Sequence, residues 1–402
     1  MDRTILLAAL AAVTLLPAPG RAQEAGSKPT FEVYGFAQAD LIQDFKRVRP
    51  DWNATLRPSR IPTADGQYGS DGESVFSVRQ SRLGVKASLP VAGDLLKTRL
   101  EFDFFGSSGS DRPDAGGQNG VRLRHAYGEW GPVLAGLTHS LFMDADLWPN
   151  IIDYWGPAGM SFYRNVQVRY TRVMGAHTIA VALERPATDL DPGAVGGNPA
   201  YGGVAGVSKM PDVTGQYRLA GGWGYLQVAG MLRWLGYDTP GAVGGDPKDN
   251  AMGYGLDVSS VFKAGSMATV RLSVLGGKGI SYYLNDGGTD LAFGGTLADP
   301  TAEAVPLLGV FAYVDLAWSE RWTSSIGYSS TMVDNTTLQD GGAFKTGQYA
   351  SVNLLAAPAS NLLFGPELLW GKRTDKDGAS GTDLRVQVSL KYSFSSTNAW
   401  KQ

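Results

Sequence analysis

Residues 98–104 read TRLEFDF and residues 384–394 read LRVQVSLKYSF. In the first, Leu100, Phe102 and Phe104 share one face of an extended chain, and Arg99, Glu101 and Asp103 share the other. In the second, Leu384, Val386, Val388, Leu390, Tyr392 and Phe394 oppose Arg385, Gln387, Ser389, Lys391 and Ser393. Adjacent residues of a strand point to opposite sides, so each segment separates an apolar wall from a polar one. The same alternation predicts strands near 31–42, 75–89, 95–104, 120–130, 133–138, 163–172, 176–185, 212–220, 223–234, 253–263, 267–277, 307–318, 322–331, 347–356, 361–373 and 383–394. These sixteen segments commit the chain to an all-β fold.

The joins sort by parity. After even-numbered strands they are tight: PVAGD (90–94), GP (131–132), VMGA (173–176), AGG (220–222), AGS (264–266), SER (319–321) and AAPAS (356–360). After odd-numbered strands they run over 43–74, 105–119, 139–162, 186–211, 235–252, 278–306, 332–346 and a shorter 374–382. Gly, Pro, Asn, Asp and Ser set the tight turns for local conformational reasons. Short joins at one rim and long ones at the other describe a transmembrane antiparallel β-barrel with short periplasmic turns and long extracellular loops. A soluble sandwich with Greek-key connections has no reason to sort its loops this way.

The first 22 residues, MDRTILLAALAAVTLLPAPGRA, place Arg3 before an apolar run from Ile5 to Leu16, with Gly20 and Ala22 suited to a signal-peptidase cut before Gln23. The expected organisation is a signal peptide over 1–22, a short periplasmic segment over 23–30 and a barrel over 31–394. Residues 395–402 form a tail, or Trp400 belongs to a longer last strand. No later stretch is apolar enough for a helical span. A barrel escapes that test because only alternate residues face lipid. Closure satisfies every backbone group inside a bilayer, and about sixteen strands leave an aqueous lumen where about eight would be filled by side chains. Tyr127, Trp130, Tyr170, Trp223, Tyr225, Trp234, Tyr237, Trp318, Trp322, Tyr328, Trp370 and Tyr392 fall within or at the ends of these strands, as the interfacial girdles of a membrane barrel require.

The net charge of −3, with no basic tail, argues against a nucleic-acid partner. The absence of cysteine excludes thiol catalysis, disulfides and cysteine-bound metals. The three histidines, His125, His139 and His177, form no short-spaced metal pair. No Walker loop, Gly-x-Ser-x-Gly or Rossmann glycine pattern appears. No cofactor, metal or catalytic residue is therefore expected. A hydrolase built on His139 or His125 remains a rival reading, with His139 next to Ser140 and near Asp144. Rivals too are a porin selective for phosphate or sugar and a soluble secreted β protein that binds a ligand.

Long side chains facing the lumen set selectivity in a wide barrel. Alternation turns Arg82, Lys86, Arg99, Arg122, Arg124 and Arg169 inward as a basic wall, while Arg164 falls on the apolar side by parity and is expected at the rim. The alternative is that these charges pair with neighbouring acids such as Glu101, Asp103 and Glu129 and only keep the lumen wet. The segment SLFMDADLWPNIIDYWGPAGMSFYRN (140–165) is neither strand-like nor helix-like and holds Asp144, Asp146 and Asp153 beside Trp148, Tyr154 and Trp155. Asp144 and Asp146 alone are a weak site for a hard cation.

The segments VYGFAQADLIQDFK (33–46), RQSRLGVKASLP (79–90), KTRLEFDFFG (97–106), VRLRHAYGEWG (121–131) and MDADLWPNIIDYWGPAGMSFYRNVQVRY (143–170) resemble the DcaP-like outer-membrane porins. The resemblance is dense over residues 31–172, and the run DYWGP…FYRNVQ…Y is its most specific part. It implies a sixteen-stranded homotrimeric channel of the bacterial outer membrane, set in lipid and lipopolysaccharide. Small, often negatively charged solutes such as dicarboxylates and aromatic acids would pass through it. It also implies a third loop folded into the lumen, which by position is 139–162. Family members can carry an N-terminal coiled coil, whereas only Gln23 to Thr30 precede the first strand here. Together these readings predict a passive diffusion channel in which Asp144, Asp146 and Asp153 narrow the path opposite the basic wall.

Overall fold

A computed structural model describes residues 28–106, 120–243 and 246–399. The expected leader, residues 1–22, and Trp400 lie outside them. The sixteen wall strands are β1 (Thr30–Asp44), β2 (Glu73–Ser77 and Arg82–Val91), β3 (Asp94–Gly106), β4 (Gly120–Trp130) and β5 (Val133–His139). They continue with β6 (Arg164–Met174), β7 (His177–Glu184), β8 (Asp212–Gly221), β9 (Gly224–Asp238), β10 (Asp249–Ala264) and β11 (Ala268–Lys278). The last are β12 (Pro306–Ala317), β13 (Trp322–Val333), β14 (Phe344–Asn353 and Leu355–Ala359), β15 (Leu362–Asp375) and β16 (Ser380–Ser395). Each pairs antiparallel with its neighbours in sequence, and β16 returns to β1 in register from Tyr34 opposite Ser395 to Asp44 opposite Arg385. The barrel is closed, so no edge is left to satisfy.

The alternation works as predicted. On β6, Asn165 and Gln167 are 2% exposed while Val166 and Val168 are 48% and 58% exposed, which puts the polar face inside and the apolar one outside. Tight turns gather at one rim. Between β2 and β3, Ala92 and Gly93 both have positive φ (50° and 83°), the left-handed pair that a two-residue hairpin between right-twisted strands demands. Trp130, Trp223, Trp318 and Trp322 stand exposed at this rim, a girdle as expected. Tyr127, Tyr225 and Tyr237 do not join it. Tyr237 is buried beneath loops, Tyr225 reaches inward to Asp144, and Tyr127 lines the lower vestibule.

The core lies inside the barrel, where three long loops meet the wall. The loop 45–72 sends in Val48, Leu56 and Ile61, and the third long loop sends in Leu147, Ala158 and Met160. Both pack on Phe311, Tyr313, Tyr349 and Leu369 of β12, β14 and β15. The loop after β11 adds Ile280, Tyr283 and Leu284, which meet Phe142, Met231, Leu275 and Leu307. A small sheet of Leu190–Asp191, Leu291–Thr296 and Asp299–Ala304 lies among the long loops. The lumen is thus divided. Loops cover apolar inner-face residues of β9, β11, β12, β14 and β15, among them Met231, Leu275, Phe311, Tyr349 and Leu369, whereas the inner face of β1–β7 is mostly polar.

Candidate functional site

The polar half of the lumen is built on two carboxylates. Glu101 and Asp103 are two residues apart on β3 and therefore share its inner face. Arg99 Nη2 lies 2.6 Å from Glu101 Oε2, and Arg124 joins both acids, Nε at 2.8 Å from Glu101 and Nη1 at 2.8 Å from Asp103. Arg122 grips Asp103 in a fork, at 3.0 Å and 2.6 Å. Arg82 stands 3.5 Å from Glu101, and its Nε has no hydrogen-bond acceptor among the described residues. Four guanidinium groups share two carboxylates, so the cluster keeps a surplus of positive charge. The pairing also fixes the arginine forks in place.

Lys86 and Arg169 lie apart from this cluster. Lys86 is 3.5 Å from Glu32 and sits over the Tyr34 ring at 4.2 Å, facing a vestibule near the short-turn rim with Lys97, Arg99 and Glu129. Arg169 donates to Gln167 and to the His139 carbonyl. Arg164 departs from its expected position at the rim. Its guanidinium packs over Phe162 at 5.3 Å, and Phe162 lines the cavity beneath the third loop, so Arg164 turns inward where the start of β6 pairs with His139.

The third loop lies within the barrel and bonds to the wall on every side. Gly159 passes so near β12 and β13 that a Cβ there would meet the carbonyls of Ser330 and Val310. Its N–H donates to Ser329 Oγ at 2.7 Å. Glu367 of β15 accepts the N–H groups of Ile152 and Asp153 at 3.0 Å each, and Gln80 and Gln387 donate to the Ile152 carbonyl.

The three aspartates do not face the arginines of β2–β4. Asp144 is buried on the opposite wall, where it accepts from Arg218 at 2.7 Å, Tyr225 at 2.8 Å and Ser259 at 2.7 Å. Asp146 pairs with the same Arg218. Asp153 is a structural peg that takes hydrogen bonds from Thr55 Oγ1, the Leu56 and Gly156 N–H groups and the Tyr349 hydroxyl. Burial holds its carboxyl above the ordinary carboxylate range. The residue that does meet the basic wall is Tyr154. Its hydroxyl sits among Asp103, Arg122 and Arg124, and its ring stacks on Phe105 at 4.0 Å. Trp155 stands higher, where it and Trp52 flank the Arg57 guanidinium, each at 4.3 Å.

Beneath the loop lies a cavity of about 340 Å³, lined by Phe36, Arg82, Arg124, His139, Trp148, Phe162 and Lys391 among others. Lys391 and Arg82 lie over one ring, Phe36, at 4.5 Å and 5.0 Å. Lys391 and Phe36 were absent from the expected site although parity placed Lys391 on a polar face. What hid them is that β16 and β1 meet only at the closing seam. His139 is no triad member. Ser140 Oγ is committed to Glu184 at 2.8 Å, and Asp144 to Arg218 and its neighbours.

A closed, lipid-facing barrel with a charged lumen narrowed by an inward loop is an outer-membrane channel of the porin type. Among solved structures, the outer membrane channel DcaP of Acinetobacter baumannii aligns over 93% of this chain and 99% of its own, with TM-score 0.77 and 22% identity. The anion-selective porin of Comamonas acidovorans aligns over 91% and 100%, with TM-score 0.58 and 10% identity. A trimer form of OmpT from Vibrio cholerae aligns over 92% and 100%, with TM-score 0.55 and 11% identity. These likenesses are of fold. Among curated proteins no relative matches. The DcaP outer membrane protein family model matches residues 25–270, and the chain belongs to that family.

Proposed function

We propose that the protein is a passive diffusion channel for small hydrophilic solutes that favours negatively charged ones, carboxylates and aromatic acids foremost, and that it works as a homotrimer without catalysing a reaction. The observation that carries this reading is the cavity under the third loop. Arg82 and Lys391 reach it over the Phe36 ring, and Arg124 stands beside them. Asp153, the acid that borders it, is taken up by four donors. A solute carboxylate would meet the surplus positive charge of this group, and its apolar part would meet Phe36, Trp148 and Phe162. Passage asks for several weak stations rather than one tight site, and cations shared with Glu101 and Asp103 supply such partial attraction. The loops fill the lumen along β12–β15, so the path runs beside the remaining wall, from β16 through β1 to β8.

Planar-bilayer recordings test this. Purified trimers are expected to conduct, with a reversal potential in a salt gradient showing anion preference. Arg82→Gln combined with Lys391→Gln is expected to lower that preference. Cation preference in the wild type overturns the anion reading, and absence of conductance overturns the channel reading.

A further inference from the structure

Arg218 of β8 lies outside the basic wall, across the lumen from it, and is held in a manner unlike the wall's arginines. Its Nε donates to Gln227 Oε1 at 2.9 Å, its Nη2 donates to Asp144 at 2.7 Å, and its plane lies over the Tyr225 ring at 4.1 Å. The remaining nitrogen, Nη1, donates to Asp146 Oδ2. The two aspartates differ sharply: the Asp144 side chain is 0% exposed and the Asp146 side chain 65%. Among the described residues, Arg218 is the one hydrogen-bond donor to the Asp146 carboxylate. Next to it, Arg271 of β11 donates to the Asp146 carbonyl at 2.6 Å while Asp315 holds its Nε.

We infer that Arg218 is a second carboxylate station and that Asp146 is its resident, exchangeable occupant. Gln227, Asp144 and Tyr225 keep the guanidinium aimed whether or not Asp146 is bound, so its departure leaves a formed donor rather than a collapsed one. The Asp146 end of this pair stands in water, where a carboxylate is held weakly. A carboxylate of a passing solute therefore takes the place of the Asp146 side chain at Nη1, and Asp146 swings into water while its backbone stays on Arg271. The loop thus carries its own mimic of the solute, which keeps the station occupied in an empty channel and lowers its affinity in a loaded one. The inference rests on the anion-channel reading and adds to it a station on the opposite wall.

Succinate block of single channels, with reversal potentials measured in parallel, tests the exchange. Asp146→Asn is expected to lengthen succinate residence by up to about fivefold, the factor an exposed ion pair of this kind is worth. In an Arg218→Gln background the same change is expected to give no gain, and Asp146→Glu is expected to keep wild-type block. A gain that persists without Arg218 is a through-space charge effect and overturns the exchange, as does an Asp146→Asn channel with unchanged block. Should Arg218→Gln not assemble, Arg218→Lys takes its place; its ammonium lacks the fork that reaches Asp144 and Asp146 from separate nitrogens, so the gain is again expected to vanish, and its persistence overturns the station. Wild-type channels without anion preference would refute the proposed function instead. Anion-preferring channels with no response at Asp146 refute this inference alone.

Discussion

Asp153 accepts four hydrogen bonds and has no cation within ion-pair distance among the described residues, so its charge is borne by neutral donors in a buried site. Burial raises its carboxyl pKa above the ordinary value. A carboxyl whose folded pKa exceeds its unfolded one contributes most below the unfolded value, and that contribution is lost as pH rises through the folded value. Asparagine does not titrate, so the melting-temperature difference between wild type and Asp153→Asn is expected to grow more favourable to wild type as pH falls into the ordinary carboxylate range. A difference that is flat with pH would show that the site is hydrated. The sequence placed three aspartates in one segment and the arginines on one wall, and from that proximity it was natural to face them together. Which acid meets which base depends on where a loop crosses a lumen, and no periodicity encodes that. Arg218 and Tyr154, which settle the arrangement, carry no spacing signal.

At the scale of elements, the loops rather than the strands hold the core. Leu56, at the centre of the first long loop, is fully buried against Gly371 and its neighbours. Leu56→Ala is expected to cost about 2–5 kcal/mol, the range for emptying a packed site, read as a lower heat-transition temperature of folded barrels on gels. It is also expected to increase open-channel current noise, because the first loop braces the third through Thr55 and Asp153. Quiet traces with an unchanged transition would mean that the first loop plays no part in shaping the path. The sequence did hold one clue to this packing. In residues 306–314, PLLGVFAYV, Leu307, Phe311 and Tyr313 are as apolar as Leu308, Val310 and Ala312 on the other face. A strand apolar on both faces in a water-filled barrel needs a cover inside. The loops that supply it, 45–72, the third long loop and the one after β11, were visible only as long joins, because their few apolar residues have no period.

For the whole molecule, the wall is uneven in height. β5 has 7 residues and β7 has 8, against 16 for both β10 and β16. At about 3.3 Å per residue and a tilt of about 40°, seven residues span roughly 18 Å, short of an apolar band of about 25 Å. Lipid cannot satisfy the backbone left beyond the ladder, so this low sector is where the proposed trimer would close on itself. Ala135→Trp, on the outer face of β5, is expected to turn trimers into monomers on semi-native gels. Val274→Trp, on the outer face of β11, is expected to leave them intact; trimers that tolerate both changes would place the contact elsewhere. Strand number, order and the parity of joins were legible because each rests on local chemistry, alternation and turn residues, repeated many times. The seam was not, since no local rule says that β1 will find β16. That seam sets an order in time. Its buried ion pair, Asp44 with Arg385, joins residues 341 apart, so β1 must wait with an open edge until the last strand arrives. During that interval the nascent wall is an unfinished sheet. A free peptide with the sequence of β16, added while the barrel assembles, would compete for the waiting edge and stall the molecule one strand short of closure.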